Sequence, residues 1–173
     1  MLNRKAILAL VRHGQSEWNA KGLWTGLVDV SLTEKGRQEA RQAATLINEL
    51  TFHIAFTSNL SRAHQTLEEM LTVLGLQLPI TRHQALNERH YGIHTGKNKW
   101  EVKKQVGDEE FHQHIIAGKN VLLVAHGNTI RALVKHLEGV ADDKIAQVEI
   151  ATGEVLLYHL NRQGKILKKE SRR

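Results

Sequence analysis

No cysteine occurs in the 173 residues. That single absence excludes disulfide scaffolds, thiolate zinc sites, Fe–S clusters and cysteine nucleophiles. Long apolar runs are missing too, and nothing approaches the ~20 residues needed to span a bilayer. The first apolar run, Ala6 to Val11, is cut off by Arg12 and His13, and no small-residue cleavage site follows. It is therefore expected to be a buried strand of a cytoplasmic protein and not a secretory signal. No G-x-x-x-x-G-K-[ST] loop and no G-x-G-x-x-G fingerprint is present, which disfavours both common modes of nucleotide binding. Neither H-E-x-x-H nor a compact acidic cluster points to a metal. Any chemistry is left to histidine, arginine and carboxylate.

Positive charge is in modest excess, with 24 Lys and Arg against 18 Asp and Glu. Most of the excess sits at the end, where Lys165, Lys168, Lys169, Arg172 and Arg173 face only Glu170. No helical pattern shows a basic stripe interleaved with aromatics, so a nucleic-acid partner is not expected. The basic stretch reads as a solvated or mobile tail, or as a source of positive potential that attracts small anions.

Strand and helix patterns alternate along the chain. Ala6–Val11, Ile54–Thr57 and Val121–Ala125 read as buried strands. Leu78–Thr81, around the only proline, Pro79, reads as an edge strand. Val155–Tyr158 reads as the last strand, followed by a turn at residues 161–164. Thr33 and Glu34 start a helix that continues to Leu50, and Ser61 caps another that stops at Gly75. Gly127 and Asn128 open a third. This alternation predicts one three-layer α/β/α domain over residues 1–173, built on a largely parallel central sheet.

Such sheets place functional groups beyond the carboxyl ends of their strands. Two clusters fall there, Arg12-His13-Gly14 and His126-Gly127-Asn128. A single histidine at a strand end is commonly structural; two, each followed by glycine on a core strand, point to a site. Glycine lets backbone approach a ligand, and a helix N-terminus offers N–H groups to an anion. Neutral imidazole is a competent nucleophile toward a phosphoryl group near pH 7, and arginines hold its oxygens. The eight histidines His53, His64, His83, His94, His112, His114, His136 and His159 belong to no such cluster and are expected to pack or face solvent. Trp18, Trp24 and Trp100 are expected to pack near the mouth of the site.

The stretch Leu10-Val11-Arg12-His13-Gly14-Gln15-Ser16-Glu17-Trp18-Asn19 closely resembles the signature of the histidine phosphatase superfamily, and specifically its cofactor-dependent phosphoglycerate mutases. The resemblance continues in order through Leu32-Thr33-Glu34-Lys35-Gly36, Thr57-Ser58-Asn59-Leu60-Ser61-Arg62-Ala63, Leu86-Asn87-Glu88-Arg89-His90-Tyr91-Gly92, Gly96-Lys97-Asn98-Lys99 and His126-Gly127-Asn128-Thr129. It implies a phosphoglycerate mutase-like fold and interconversion of 2-phosphoglycerate and 3-phosphoglycerate, primed by 2,3-bisphosphoglycerate without a metal. His13 would become the phosphohistidine, with Arg12, Arg62 and His126 around the phosphoryl group and Glu88 as proton shuttle. Gly14, Gln15, Ser16, Glu17, Trp18, Asn19, Thr25, Gly26, Arg89, His90, Tyr91, Lys99, Gly127 and Asn128 match the family's substrate contacts. The partners implied are small anionic phosphoglycerates, with a homodimer or homotetramer left open and no membrane contact. The alternative is a histidine-type phosphomonoesterase in the same pocket.

The resemblance breaks near position 113. Family members continue after Gly107-Asp108-Glu109-Glu110-Phe111 with a Trp-Arg-Arg sequence, a proline-rich loop and a long helix. Here Phe111-His112-Gln113 passes straight to His114-Ile115-Ile116-Ala117. The arginine pair used for the substrate carboxylate goes with that segment. Either the deletion is real or a mobile lid is missing from the sequence as read. The apolar patch that a true loss would expose favours the second account.

Overall fold

The continuous apolar run at the start of the chain forms β1 (Ala6–Arg12), whose residues Leu8 to Val11 are all fully buried. The computed structural model describes residues 5–89 and 113–173. The further strands are β2 (Ile54–Thr57), β3 (Ile80–Arg82), β4 (Val121–Ala125), β5 (Val155–Leu160) and β6 (Ile166–Arg172). The α-helices in chain order are α1 (Glu17–Ala20), α2 (Glu34–Thr45), α3 (Ser61–Leu74) and α4 (Gly127–Glu138). Together the strands make one sheet in the order β3-β2-β4-β1-β5-β6. The first four are parallel, β5 reverses against β1, and β6 pairs antiparallel to β5. The largely parallel α/β sheet is thus present.

Period-2 alternation sends the strand residues to two cores. Leu8, Leu10, Phe56, Leu123 and Tyr158 pack with Ile130 and Val134 of α4. Ala9, Val11, Ala55, Leu122 and Val124 pack on the other face with Ala40, Ala43 and Ala44 of α2 and Leu67 and Met70 of α3. Burying each large aliphatic side chain contributes about 1.5–3 kcal/mol. Helices therefore cover both faces, and the three layers follow from the strand pattern. Among the described residues no helix is long and apolar enough to cross a membrane.

Helix ends follow local chemistry with one exception. Thr33 caps α2, its hydroxyl accepting from Gly36 N–H, and Gly75 ends α3 in the left-handed conformation at φ 64°. Helix α2 stops at Thr45, short of the expected Leu50. Ser61 is not the cap of α3. Leu60 holds that position, and the Ser61 N–H and hydroxyl both donate to Asp29, at 2.7 and 2.8 Å. The edge strand is shifted as well, covering Ile80–Arg82 in place of Leu78–Thr81.

The basic end of the chain departs most from expectation. It is strand β6, paired along β5, and Val155–Leu160 is therefore not the last strand. Lys168 pairs with Glu170 at 2.9 Å, Lys169 with Glu138 at 2.6 Å and Arg173 with Glu154 at 3.1 Å. Glu138 ends α4, and Lys169 lies opposite Tyr158, which in turn pairs with Leu8. Those registers put Lys169 level with Leu8, back along the sheet from His13, where it pairs with Glu138. The stretch is thus a paired strand and not a mobile tail, while Lys165, Lys168, Lys169 and Arg173 remain exposed as the sequence pattern suggested.

A close backbone approach fixes the loop after β1. A Cβ added at Gly36 would lie 2.1 Å from the Gln15 carbonyl oxygen, and one at Gly14 would lie 2.1 Å from the Gly36 carbonyl oxygen. Neither neighbour is a side chain that can swing away. Gly36→Ala is expected to cost about 1–3 kcal/mol through forced overpacking. At about 2–4 °C per kcal/mol for a domain of this size, thermal unfolding should show the loss clearly. An unchanged midpoint would refute the close packing.

Candidate active site

Strands β1, β2 and β4 end side by side, and each hands the chain to a polar residue. His13 follows β1 and its backbone N–H donates to the Ala125 carbonyl at 2.9 Å, tying it to the end of β4. His126 follows β4 and serves as N-cap residue of α4. Thr57 pairs with Val124 in the parallel β2–β4 ladder, so Ser58 comes next to His126. Arg62 lies in the first turn of α3. His13, Arg62 and His126 are 3%, 1% and 0% exposed. The two imidazole rings meet edge to face with centroids 5.0 Å apart.

His13, Arg62 and Arg12 are each held by backbone carbonyls. His13 Nδ1 lies 2.7 Å from the Gly14 carbonyl oxygen. A carbonyl only accepts, so Nδ1 carries the proton and the lone pair resides on Nε2. Arg62 donates from Nη2 to the Gly26 carbonyl at 2.8 Å and from Nη1 to the Val28 carbonyl at 3.0 Å. Gly26 reaches that geometry at φ 52°, a backbone region that favours glycine. Arg12 donates from Nη1 to the Ile150 carbonyl, and a Cβ at Gly127 would lie 3.6 Å from its Cζ, which places the guanidinium against the start of α4. The His126 Nε2 lies 2.8 Å from Ser58 Oγ. Its buried Nδ1 has no hydrogen-bond partner among the described residues.

Burial dominates the electrostatics of both rings. The His13 imidazolium is disfavoured first by desolvation, against which the Gly14 carbonyl works, and then by the positive charges of Arg62 and Arg12; its pKa falls to about 3. His126 is lowered well below its ordinary value, first by desolvation and then by His13, Arg62 and Arg12. Both imidazoles are neutral at pH 7. Two guanidinium groups, a buried N–H or nitrogen lone pair, and the open end of the twelve-residue helix α4 converge on one place. Such an arrangement is chemically suited to a compact anion.

The profile of the histidine phosphatase superfamily (branch 1) matches residues 8–115 and 111–171. The chain belongs to that superfamily. A 2,3-bisphosphoglycerate-dependent phosphoglycerate mutase of Mesorhizobium japonicum is 39% identical over 198 positions, covering 94% of this chain and 96% of that protein. The protein of the same description from Cytophaga hutchinsonii is 40% identical, covering 90% of this chain and 88% of its own length. The solved phosphoserine phosphatase of Entamoeba histolytica, in complex with 3-phosphoglyceric acid, superposes with a TM-score of 0.71 at 21% identity. It covers 97% of this chain and 98% of that one, and it shares the fold. The two matched stretches of the superfamily profile meet at residues 111–115. The alignment to the Mesorhizobium protein has 198 positions against 173 residues here, so the relative carries residues that this chain does not.

Within this member of the histidine phosphatase superfamily the remaining predicted residues separate into groups. Gly14 is buried, and its N–H donates to Thr66 Oγ1 at 3.1 Å, which in turn donates to the Arg62 carbonyl at 2.7 Å. Gln15 donates its N–H to Glu39 and Oε1 accepts from Thr33. Ser16 and Asn19 form the capping box of α1, so their first use is structural. Glu17 is exposed, whereas Trp18 is half-buried. Trp24 stands 79% exposed, not in the packed position expected of it. Thr25 is buried next to Gly26. Glu88 is half-buried, with Oε1 accepting from the exposed Arg89 N–H at 2.9 Å. Asn128 accepts from Arg131 at 3.2 Å. His90, Tyr91 and Lys99 lie outside the described residues, as do His94, Trp100 and His112.

Three residues gain roles the sequence reading did not give them. Ser58 contacts His126, Thr66 joins Gly14 to α3, and Asn87 bridges two elements. The Asn87 side chain accepts from Asn59 N–H at 3.0 Å and its carbonyl from Thr129 Oγ1 at 2.9 Å, which positions the adjoining Glu88. Ser58 and Asn87 stood inside the quoted motifs and Thr66 lies three residues beyond one, but the partners that give them these roles are distant in sequence.

Proposed function

We propose that this enzyme interconverts 2-phosphoglycerate and 3-phosphoglycerate through a phosphohistidine on His13, primed by 2,3-bisphosphoglycerate. The observation that supports phosphoryl chemistry is the His13 tautomer: Nδ1–H donates to Gly14, leaving the Nε2 lone pair in a buried cationic pocket. His13 Nε2 would attack a phosphorus of 2,3-bisphosphoglycerate, the N–P bond forming as the P–O bond to the glycerate oxygen breaks and a monophosphoglycerate leaves. The electron pair leaves on the substrate oxygen, which takes a proton from Glu88. The second half-reaction reverses these steps on the other hydroxyl. Arg12 and Arg62 hold the equatorial oxygens, where each charged contact at 4 Å is worth about 4 kcal/mol at an effective dielectric of 20. The residues fit a phosphoryl group because the orphaned His126 nitrogen and the two guanidinium groups are buried around it. Gly14–Asn19, Thr25, Gly26, Arg89, His90, Tyr91, Lys99, Gly127 and Asn128 would contact the rest of the substrate. Reliance on soluble sugar-acid phosphates suits a cytoplasmic enzyme.

The second reading, a phosphomonoesterase, is favoured by one observation. The superfamily profile matches in two pieces that meet at residues 111–115, where residues 113–117 form one continuous helical turn closed by Ala117 N–H to the Gln113 carbonyl at 2.9 Å. We infer that the segment is absent from this chain and that the carboxylate clamp expected from the resemblance is absent with it. Incubating the enzyme with 3-phosphoglycerate and catalytic 2,3-bisphosphoglycerate, with phosphorus NMR as readout, separates the two. Accumulation of 2-phosphoglycerate to an equilibrium ratio is expected for the mutase. Stoichiometric inorganic phosphate with no 2-phosphoglycerate would overturn that reading in favour of the esterase.

A further inference from the structure

We propose that Ser58 is a positioning residue that sets the tautomer of His126, so that a neutral imidazole presents Nδ1–H to the transferring phosphoryl group. The proposal rests on the phosphohistidine reading only for the identity of the group that Nδ1–H meets.

Proton counting carries it. Ser58 is 0% exposed and its Oγ has two neighbours within hydrogen-bonding distance, the Leu60 N–H at 3.2 Å and His126 Nε2 at 2.8 Å. The backbone N–H can only donate, so it occupies a lone pair of Oγ. The hydroxyl proton then has a single acceptor among the described residues, His126 Nε2. If Nε2 donated instead, the hydroxyl proton would be stranded in a closed site, an arrangement buried polar groups avoid. Donation from Ser58 leaves the His126 proton on Nδ1. That nitrogen is buried and has no partner among the described residues, and its ring faces His13 at 5.0 Å.

The two histidines thereby adopt the same tautomer for opposite purposes. His13 spends Nδ1–H on Gly14 and keeps Nε2 as nucleophile. His126 takes a proton bond at Nε2 from Ser58 and keeps Nδ1–H as donor. A neutral donor suits a pocket where Arg12 and Arg62 already oppose further positive charge. The strand register builds this in, because the Thr57–Val124 pairing sets Ser58 alongside the residue that ends β4.

The test is long-range proton–nitrogen NMR of histidine-labelled full-length protein at pH 7, with His126→Gln used for assignment. His126 is expected to show a protonated, pyrrole-type Nδ1 and a pyridine-type Nε2, and the Nδ1 proton should shift when orthovanadate is added. Ser58→Ala should mix the tautomers and lower kcat on the order of 10–100-fold with little change in KM, short of the effect of deleting an oxyanion donor outright. Ser58→Thr keeps a hydroxyl and should keep both the tautomer and most of the rate. A pyrrole-type Nε2 in the unmodified protein overturns the proposal, as does a Ser58→Ala enzyme with unaltered tautomer and kcat. If Ser58→Ala does not fold, the spectrum of the unmodified protein decides alone. Mutase activity with the reversed tautomer would sink only the Ser58 proposal, whereas the expected tautomer without any phosphoryl transfer would sink only the proposed function.

Discussion

His13→Ala is expected to lose phosphoryl transfer by about 10⁴-fold or more, because removing a nucleophile leaves only binding and transition-state charge stabilisation. Incubation of the unmodified enzyme with 2,3-bisphosphoglycerate should yield an acid-labile, base-stable phosphoenzyme, and the variant should yield none. The structure makes the comparison clean. His13 is buried, yet its side chain makes one hydrogen bond, to the carbonyl of the next residue, and its backbone N–H to Ala125 survives substitution. The variant should therefore fold. His126→Ala removes a donor and not the attacking group, and it is expected to cost about 10²–10³-fold while still forming phosphoenzyme slowly. Retention of more than a few per cent of activity by His13→Ala would sink the phosphohistidine mechanism for both the mutase and the esterase reading.

Arg62 is a harder case, because the same atoms serve fold and site. Its guanidinium is 1% exposed and spans two carbonyls of the 26–28 loop. Truncation would leave those carbonyls unsatisfied at about 1–3 kcal/mol each, so a kinetic loss in Arg62→Ala would mix chemistry with loop displacement. That is why the histidine variants, and not the arginine variants, are the decisive ones.

The parts of this molecule that were legible in the sequence are those encoded locally. The strands around Leu8, Ala55 and Leu123 announce themselves as short apolar runs, and two of them end where the pattern ends. Thr33 and Gly75 mark helix ends through their own side chain or backbone freedom. The histidines at two strand ends follow from topology alone. What escaped the reading depends on partners far along the chain. Asp29 caps a helix that starts 32 residues later. Ser58 meets His126 across 68 residues. Strand β6 carries Lys168, Lys169, Glu170 and Arg172, a pattern that reads as a solvated tail until β5 and the facing carboxylates of Glu49 and Glu138 are in place. An edge strand with little buried surface has little apolar signature to read.

Acid should destabilise this protein steeply, and the two site histidines should account for most of the steepness. His13 has its pKa lowered from 6.5 to about 3, by burial first, and His126 is lowered as well. Between pH 6.5 and about 3 the unfolded chain binds a proton at His13 and the folded chain does not, and His126 acts in the same direction. Unfolding is then favoured as pH falls, and the stabilisation present above pH 6.5 is lost progressively below it. His13 contributes a slope of about 1.4 kcal/mol per pH unit, and His126 adds to it in the same direction. Over two units His13 alone would remove about 3 kcal/mol, a sizeable share of the roughly 5–15 kcal/mol typical of a domain. Urea unfolding between pH 7.5 and 4.5 measures this directly. His13→Asn should flatten the slope, and His13→Asn combined with His126→Gln should flatten it further. Orthophosphate should act in the opposite direction, because an anion between Arg12 and Arg62 cancels the charge that opposes protonation and binds only the folded state. Equal slopes in the unmodified protein and both variants would show that the histidines are protonated in the fold, and with them the neutral nucleophile would be lost. The pocket that keeps Nε2 of His13 unprotonated for attack thus makes the fold sensitive to acid, and one titration tests both consequences.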